Sequence, residues 1–429
     1  MKTFSVISLG CSKNLIDSEY ITERLIKDGY ALEPECHLAD MIIVNTCAFL
    51  RSAVEESIET LLEVAQDHKK VVCTGCLVSR YKEDLLKDLP EIDLFAGPGT
   101  YDHLVKAIEE GQHYLAPRFD SVVGRSFVST PGFAYVKISE GCSNHCHFCL
   151  IPSLRGEMIS RKPEDIVDEC KSLVDNGTKE ICLVAQDLGA YGQDRTKNKR
   201  EYNLVDLVTR IGSIKDLGWL RLMYMHPESL SEELVETIHA MEKVCNYIDM
   251  PIQHVSSGVL AAMGRKGGKR AAQRSIDLLK KHDIWLRSTI MVGHPGEDEA
   301  AFNELRAFIS RGYIDSLGVF TYSPESGTPS ARMKARVGEE TKQERKNIIM
   351  GIQQGISRQS LEEMKGRQFS VLLEGYHPET DLLLKGRTSF QAPEVDGSVI
   401  INDGGAPFGS MVRVEITASM DYDLIGGII

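Results

Sequence analysis

Phe133-Ala-Tyr-Val-Lys-Ile-Ser-Glu-Gly-Cys142-Ser-Asn-His-Cys146-His-Phe-Cys149 runs from a short β-type stretch directly into three cysteines spaced C-x3-C-x2-C. It opens a long alternation of strand and helix patterns. Candidate strands fall at 135–139, 180–185, 219–225, 247–252, 285–292 and 316–321. Helical periodicity fills the gaps at 163–176, 204–214, 231–241, 269–282 and 297–310. Pro163 suits a first helical position, and Gly177 a position just past a helix end. Six strand–helix units in succession predict a (β/α)6 partial barrel over residues 133–365, with ligand chemistry at the carboxyl ends of its strands.

The cysteine triplet sits at the first of those ends, and two metals compete for it. Zinc takes four closed ligands, commonly in paired C-x2-C knuckles. No second pair follows, so His145 or His147 would have to complete a zinc site. A four-iron cubane held by three thiolates keeps one iron open, and an open iron can chelate a small molecule and pass it an electron. A saturated cluster cannot do this by coordination.

Upstream, residues 1–116 also alternate, with strands at 3–9, 41–45 and 70–74 and helices at 17–27 and 53–66. This predicts an α/β sheet domain, its second helix carrying Val54, Ile58, Leu61, Leu62 and Ala65 on one face. A Pro/Gly/Ser-rich stretch at 116–132 separates it from the barrel. Cys11, Cys47 and Cys76 each follow one of its three strands, where ligands of open α/β sheets collect, so they are expected to converge on a second metal cluster. Cys73 has the opposite strand parity to Cys76 and reads as structural. So do Cys36 and Cys245 in loops, Cys170 in a helix and Cys182 in a strand.

After a polar helix at 339–364, residues 366–429 hold four β-rich runs punctuated by Gly, Pro and Asp, which predicts a small all-β barrel. This segment carries a net charge of −5, and the 429-residue chain one of −13. Such a balance repels phosphate backbones and suits a basic partner. No apolar run reaches the ~18 residues of a membrane span, and the stretch Phe4 to Leu9 is shorter than the core of an export signal. Eleven cysteines without such a signal point to reduced or metal-bound thiols in the cytoplasm.

The central triplet resembles the signature of the radical S-adenosylmethionine superfamily. Together with Leu-Gly-Cys11-Ser-Lys-Asn, Asn-Thr-Cys47-Ala-Phe, Thr-Gly-Cys76-Leu and a terminal β-barrel, the chain resembles the methylthiotransferase family over essentially its whole length. The resemblance implies two 4Fe-4S clusters, one on Cys142, Cys146 and Cys149 and one on Cys11, Cys47 and Cys76. It implies S-adenosyl-L-methionine as cofactor, a reductant protein such as a flavodoxin or ferredoxin, and a TRAM barrel that binds substrate. The sulfur donor stays unnamed. Phe148, Gln186, Gln253, Gly293 and Glu297, at or after strand ends, resemble residues lining the family's cofactor pocket. His294 stands where that likeness leads one to expect an aromatic or apolar side chain. Arg155 and Arg161 read as loop arginines, open either to a carboxylate or to solvent.

Two branches of the family differ in substrate. One modifies an adenosine beside the tRNA anticodon; the other modifies the β-carbon of an aspartate in ribosomal protein S-twelve. The segments 186–192, 249–254 and 391–397 resemble the second branch. An acidic barrel also suits a basic ribosomal protein better than RNA.

Overall fold

A computed structural model describes residues 2–67, 70–117, 125, 132–195 and 202–429, so the stretch at 116–132 lies mostly outside the described residues. The first sheet comprises β1 (Thr3–Ser8), β2 (Ala31–Leu32), β3 (Met41–Thr46), β4 (Val71–Gly75) and β5 (Leu94–Ala96). They pair in parallel in the order β2-β1-β3-β4-β5. β3 and β4 are buried on both faces, as a parallel sheet between helices requires. On the helix Arg51–Asp67, Val54 and Leu61 are buried but Leu62 is largely exposed. The apolar stripe is therefore narrower than its sequence suggested.

The second sheet begins with β6 (Phe133–Lys137). A two-stranded pair follows, β7 (Ser139–Glu140) with β8 (Ile159–Ser160). β9 (Glu180–Val184), β10 (Trp219–Leu222), β11 (Val244–Asp249), β12 (Trp285–Val292) and β13 (Ser316–Thr321) complete the partial barrel. All six main strands run parallel in chain order, and the sheet stays open between β6 and β13. Successive side chains divide between two cores. Ala134, Ile181, Leu220, Ile248 and Ile290 pack under the helices. Tyr135, Cys182, Met223 and Tyr247 face the concave side, against the N-terminal domain and the terminal barrel. Cys245, expected in a loop, lies inside β11, because parallel pairing of Leu220 with Val244 starts that strand earlier than its aromatic run suggested.

β14 (Gln368–His377), β15 (Thr380–Arg387), β16 (Val399–Asp403), β17 (Met411–Ser419) and β18 (Leu424–Ile428) close into a barrel in the order β14-β15-β16-β18-β17. Sequence reading missed β18, since Gly426 and Gly427 weaken its strand signal. Gly426 is needed there, because a Cβ would collide with the Glu415 carbonyl.

The loop between β15 and β16 plugs the amino-end side of the partial barrel. Arg387 Nη2 donates to Glu180 Oε2 (2.7 Å), Tyr135 Oη to Glu394 Oε2 (3.0 Å) and Tyr247 Oη to Asp396 Oδ2 (2.7 Å). Phe390 packs on Trp285 at 4.9 Å. This changes the charge reading of the terminal segment. Glu374, Glu394, Asp396, Asp421 and Asp423 are all engaged by protein donors, leaving Glu379, Asp381, Asp403 and Glu415 as its exposed, uncommitted acids among the described contacts. The outward face is therefore far less acidic than −5 implied. Among the described residues, no helix is long and apolar enough to cross a membrane.

Candidate functional site

Cys11, Cys47 and Cys76 stand at the carboxyl ends of β1, β3 and β4, three adjacent strands, so the topology brings together what the sequence holds far apart. Cys11 caps the helix Ser12–Lys27, and Cys76 begins the helix Cys76–Tyr81. Gly10 (φ +91°) brings the first loop so close that a Cβ would sit 2.6 Å from Cys47 Cβ. Asn14 Nδ2 ties two exits together, donating to the Leu9 carbonyl (2.8 Å) and the Thr46 carbonyl (3.0 Å). Burial pushes the Cys47 thiol up and the Cys76 thiol up to about 11, while the Arg155 guanidinium pulls both back. A coordinated metal would favour the thiolates outright.

Cys142, Cys146 and Cys149 follow β6 and β7. Gly141 (φ +76°) makes the turn that admits them, and a Cβ there would strike the Glu157 carbonyl. Burial raises Cys142 and takes Cys149 up to about 12. The Ile151 N–H, 3.5 Å from Cys149 Sγ, favours that thiolate, and Arg265 Nη1 donates to Cys146 Sγ (3.6 Å). His145 pairs with Glu157 and His147 with the Ala262 carbonyl, so neither ring is committed to a zinc site. Among the described residues no group of three or more Cys, His, Asp or Glu side chains closes tightly enough for a single metal ion. A cubane spreads its thiolates over separate irons, and both triplets match it in donor type and number.

The strand exits of the partial barrel surround the second triplet. Gln186 Nε2 donates to Glu140 Oε1 (3.1 Å), while its carbonyl oxygen is buried without a partner. Asp187 accepts from Asn144 inside the triplet (2.8 Å) and from Ser229 (2.9 Å). Gln253 holds φ +67°, and Tyr224, after β10, φ +69°; such non-glycine strain persists where the surroundings over-determine it. Gly293 (φ +76°) packs against Lys342 with no room for a Cβ. Its N–H donates to Glu297 Oε2 (2.6 Å), and Arg345 Nη1 donates to Glu297 Oε1 (2.8 Å). The Glu297 carboxylate is thus engaged by the protein at both oxygens. Phe148 packs against the cluster of Val259, Leu260, Met263 and Ala301 and meets His294 edge-on. His294 is fully buried, packs on Tyr322 at 5.1 Å, and burial lowers its pKa to about 4, so the neutral ring fills an aromatic position.

A buried charge cluster between the two triplets escaped sequence reading. Arg155, 2% exposed, donates to Glu140 Oε1 (2.8 Å), Asp17 Oδ2 (3.0 Å) and Asn14 Oδ1 (2.5 Å). Lys137 binds the same two carboxylates. Burial opposes the Glu140 charge, yet Arg155 and Lys137 hold its carboxyl well below the usual range. Arg161 likewise pairs with Glu169 (2.7 Å). Neither arginine is solvated. Lys13 and Asp249 lie nearby; burial lowers Lys13 to about 8 and raises Asp249 to about 6. The sequence hint was the placement of Lys13 and Asn14 two and three residues past Cys11.

Residues 3–97 match a family described as Uncharacterized protein family UPF0004, residues 136–309 the Radical SAM superfamily and residues 366–429 the TRAM domain. The Ribosomal protein uS12 methylthiotransferase RimO of Syntrophobacter fumaroxidans is 44% identical, with 99% of this chain and 98% of that protein covered. The protein of the same name from Aquifex aeolicus is 42% identical, over 98% and 96%. Among solved structures, the radical S-adenosylmethionine methyltransferase TsrM from Kitasatospora setae shares the fold at TM-score 0.60 and 16% identity, over 77% of each chain. The cobalamin-dependent S-adenosylmethionine radical enzyme OxsB does so at TM-score 0.54 and 12% identity, over 82% of this chain and 56% of that one. Identity above 40% runs along nearly the full length of both chains, and the chain belongs to the RimO family of radical S-adenosylmethionine methylthiotransferases.

Proposed function

We propose that this chain places a methylthio group on the β-carbon of an aspartate in ribosomal protein uS12. In this reading Cys142, Cys146 and Cys149 hold one 4Fe-4S cluster and Cys11, Cys47 and Cys76 a second. The supporting observation is the pair of three-thiol sets on two parallel sheets, joined by the Arg155–Glu140–Asp17 cluster. Bound together, the two clusters and S-adenosylmethionine supply a radical able to take hydrogen from an unactivated carbon, and a site for the sulfur to be inserted.

The residues of the chain arrange the reactants. Gln186, Gln253 and Gly293 offer polar and backbone atoms at three strand exits beside Cys142, Cys146 and Cys149, and Phe148 offers an apolar face. Glu297 acts one step back, fixing the Gly293 loop. The plug formed by residues 388–396 closes the amino-end side, so substrate enters from the cysteine side, away from bulk water beneath. A flavodoxin or ferredoxin type of reductant and a cytoplasmic setting complete the reading.

The test is mass spectrometry of uS12 from cells with and without this enzyme. The expected result is the mass added when SCH3 replaces hydrogen on one aspartate, seen only with the enzyme. Unchanged uS12, with loss of the 2-methylthio mark on tRNA instead, would assign the chain to the adenosine branch.

A further inference from the structure

Lys13 is 9% exposed and makes no hydrogen bond or ion pair among the described residues. Its ammonium lies 3.3 Å from the centroid of the Tyr224 ring, so it reaches from the N-terminal domain across the exit of β10. The carboxylates around it are already held. Arg287 forms ion pairs with Asp249 and Asp396 (3.1 and 3.4 Å), and Lys137 and Arg155 with Asp17 and Glu140. A desolvated cation without a contacting counter-charge is costly, and the cation–π contact offsets only part of that cost. Every other cation of this buried cluster is in a salt bridge. Lys13 is the one whose place is open.

That place lies between the two cysteine triplets. Lys13 is two residues past Cys11; Tyr224 follows β10, the strand beside the one that leads to Gln186, and Asp249 ends β11, the next strand along. A carbon that loses hydrogen at one triplet and gains sulfur at the other must sit in this gap. In an aspartate the β-carbon is bonded directly to the carboxylate, so a fixed carboxylate fixes the reacting carbon.

We propose that Lys13 receives the side-chain carboxylate of the substrate aspartate and thereby selects and positions the residue to be modified. The inference rests on the uS12 reading above. An ammonium offers three donors and a compact charge, and it distinguishes a carboxylate from a neutral amide.

The test uses anaerobically reconstituted full-length enzyme and uS12 carrying Asp or Asn at the modified position. Wild type is expected to bind the Asp form at least about tenfold more tightly, the scale of one charged hydrogen bond. Lys13→Met should abolish that preference and Lys13→Arg should restore part of it, with iron content and S-adenosylmethionine affinity unchanged in both. An equal preference in Lys13→Met would overturn the proposal. So would a loss of iron or of S-adenosylmethionine binding, since the lysine would then serve a cluster or the cofactor. Wild-type enzyme that leaves uS12 unmodified would instead remove the substrate reading itself. Modification of uS12 without any Asp-over-Asn preference would remove only the role of Lys13.

Discussion

Arg155 of the partial barrel and Asp17 of the first N-terminal helix form a salt bridge of 3.0 Å, with both side chains 2–3% exposed. It crosses from one cysteine triplet to the other. Removing one partner of a buried pair leaves the other uncompensated, which costs about 3–5 kcal/mol. Arg155→Met should lower stability in denaturant unfolding towards that order, because it leaves Lys137 as the one cation for both Asp17 and Glu140. A loss below about 1 kcal/mol would show that the cluster is solvated in solution.

The glycines predict where metal is lost. Gly10→Ala forces a Cβ onto Cys47 at φ +91°, and Gly141→Ala forces one onto the Glu157 carbonyl at φ +76°. Each strained substitution should deplete one triplet's iron and spare the other's, as read by iron analysis and electron paramagnetic resonance of reconstituted protein.

His254 and His294 are held neutral by burial, at about 3 and about 4 respectively. In the unfolded chain they protonate near pH 6.5. Between those values the unfolded state binds more protons, so stability falls as pH drops from 6.5 towards 4. His294→Phe keeps the contacts with Phe148 and Tyr322 and should flatten that slope by one proton, at the loss of the Ser330 hydrogen bond. Urea melts across this pH range measure it.

Much of this was legible because periodicity and cysteine placement are local signals. β12 and β13 match their predicted bounds, and the three N-terminal cysteines each follow a strand. What was hidden depends on partners distant in sequence. Arg155 is separated from Asp17 by 138 residues and from Asn14 by 141, so its sequence left it open between a carboxylate partner and solvent. Glu297 looked like a pocket residue until Arg345 met it from the long helix. The acids of the terminal barrel counted towards its net charge although Arg287 and Arg358, from outside that segment, pair with Asp396 and Asp421. The one signal Lys13 carried was its place two residues past Cys11.

Cys73 separates chance burial from metal binding. It lies inside β4, fully buried, and burial pushes its thiol up to about 12. Cys73→Ala should leave the iron content unchanged, although Cys76 is only three residues away.

The most direct measurement compares anaerobically reconstituted wild type with a variant in which Cys11, Cys47 and Cys76 are all alanine, by iron and sulfide analysis with Mössbauer spectroscopy. Two independent three-thiol sites predict half the iron in the variant, all of it in 4Fe-4S form and still able to cleave S-adenosylmethionine. An iron content equal to that of wild type would contradict the grouping of the six cysteines, and with it the sulfur-insertion chemistry.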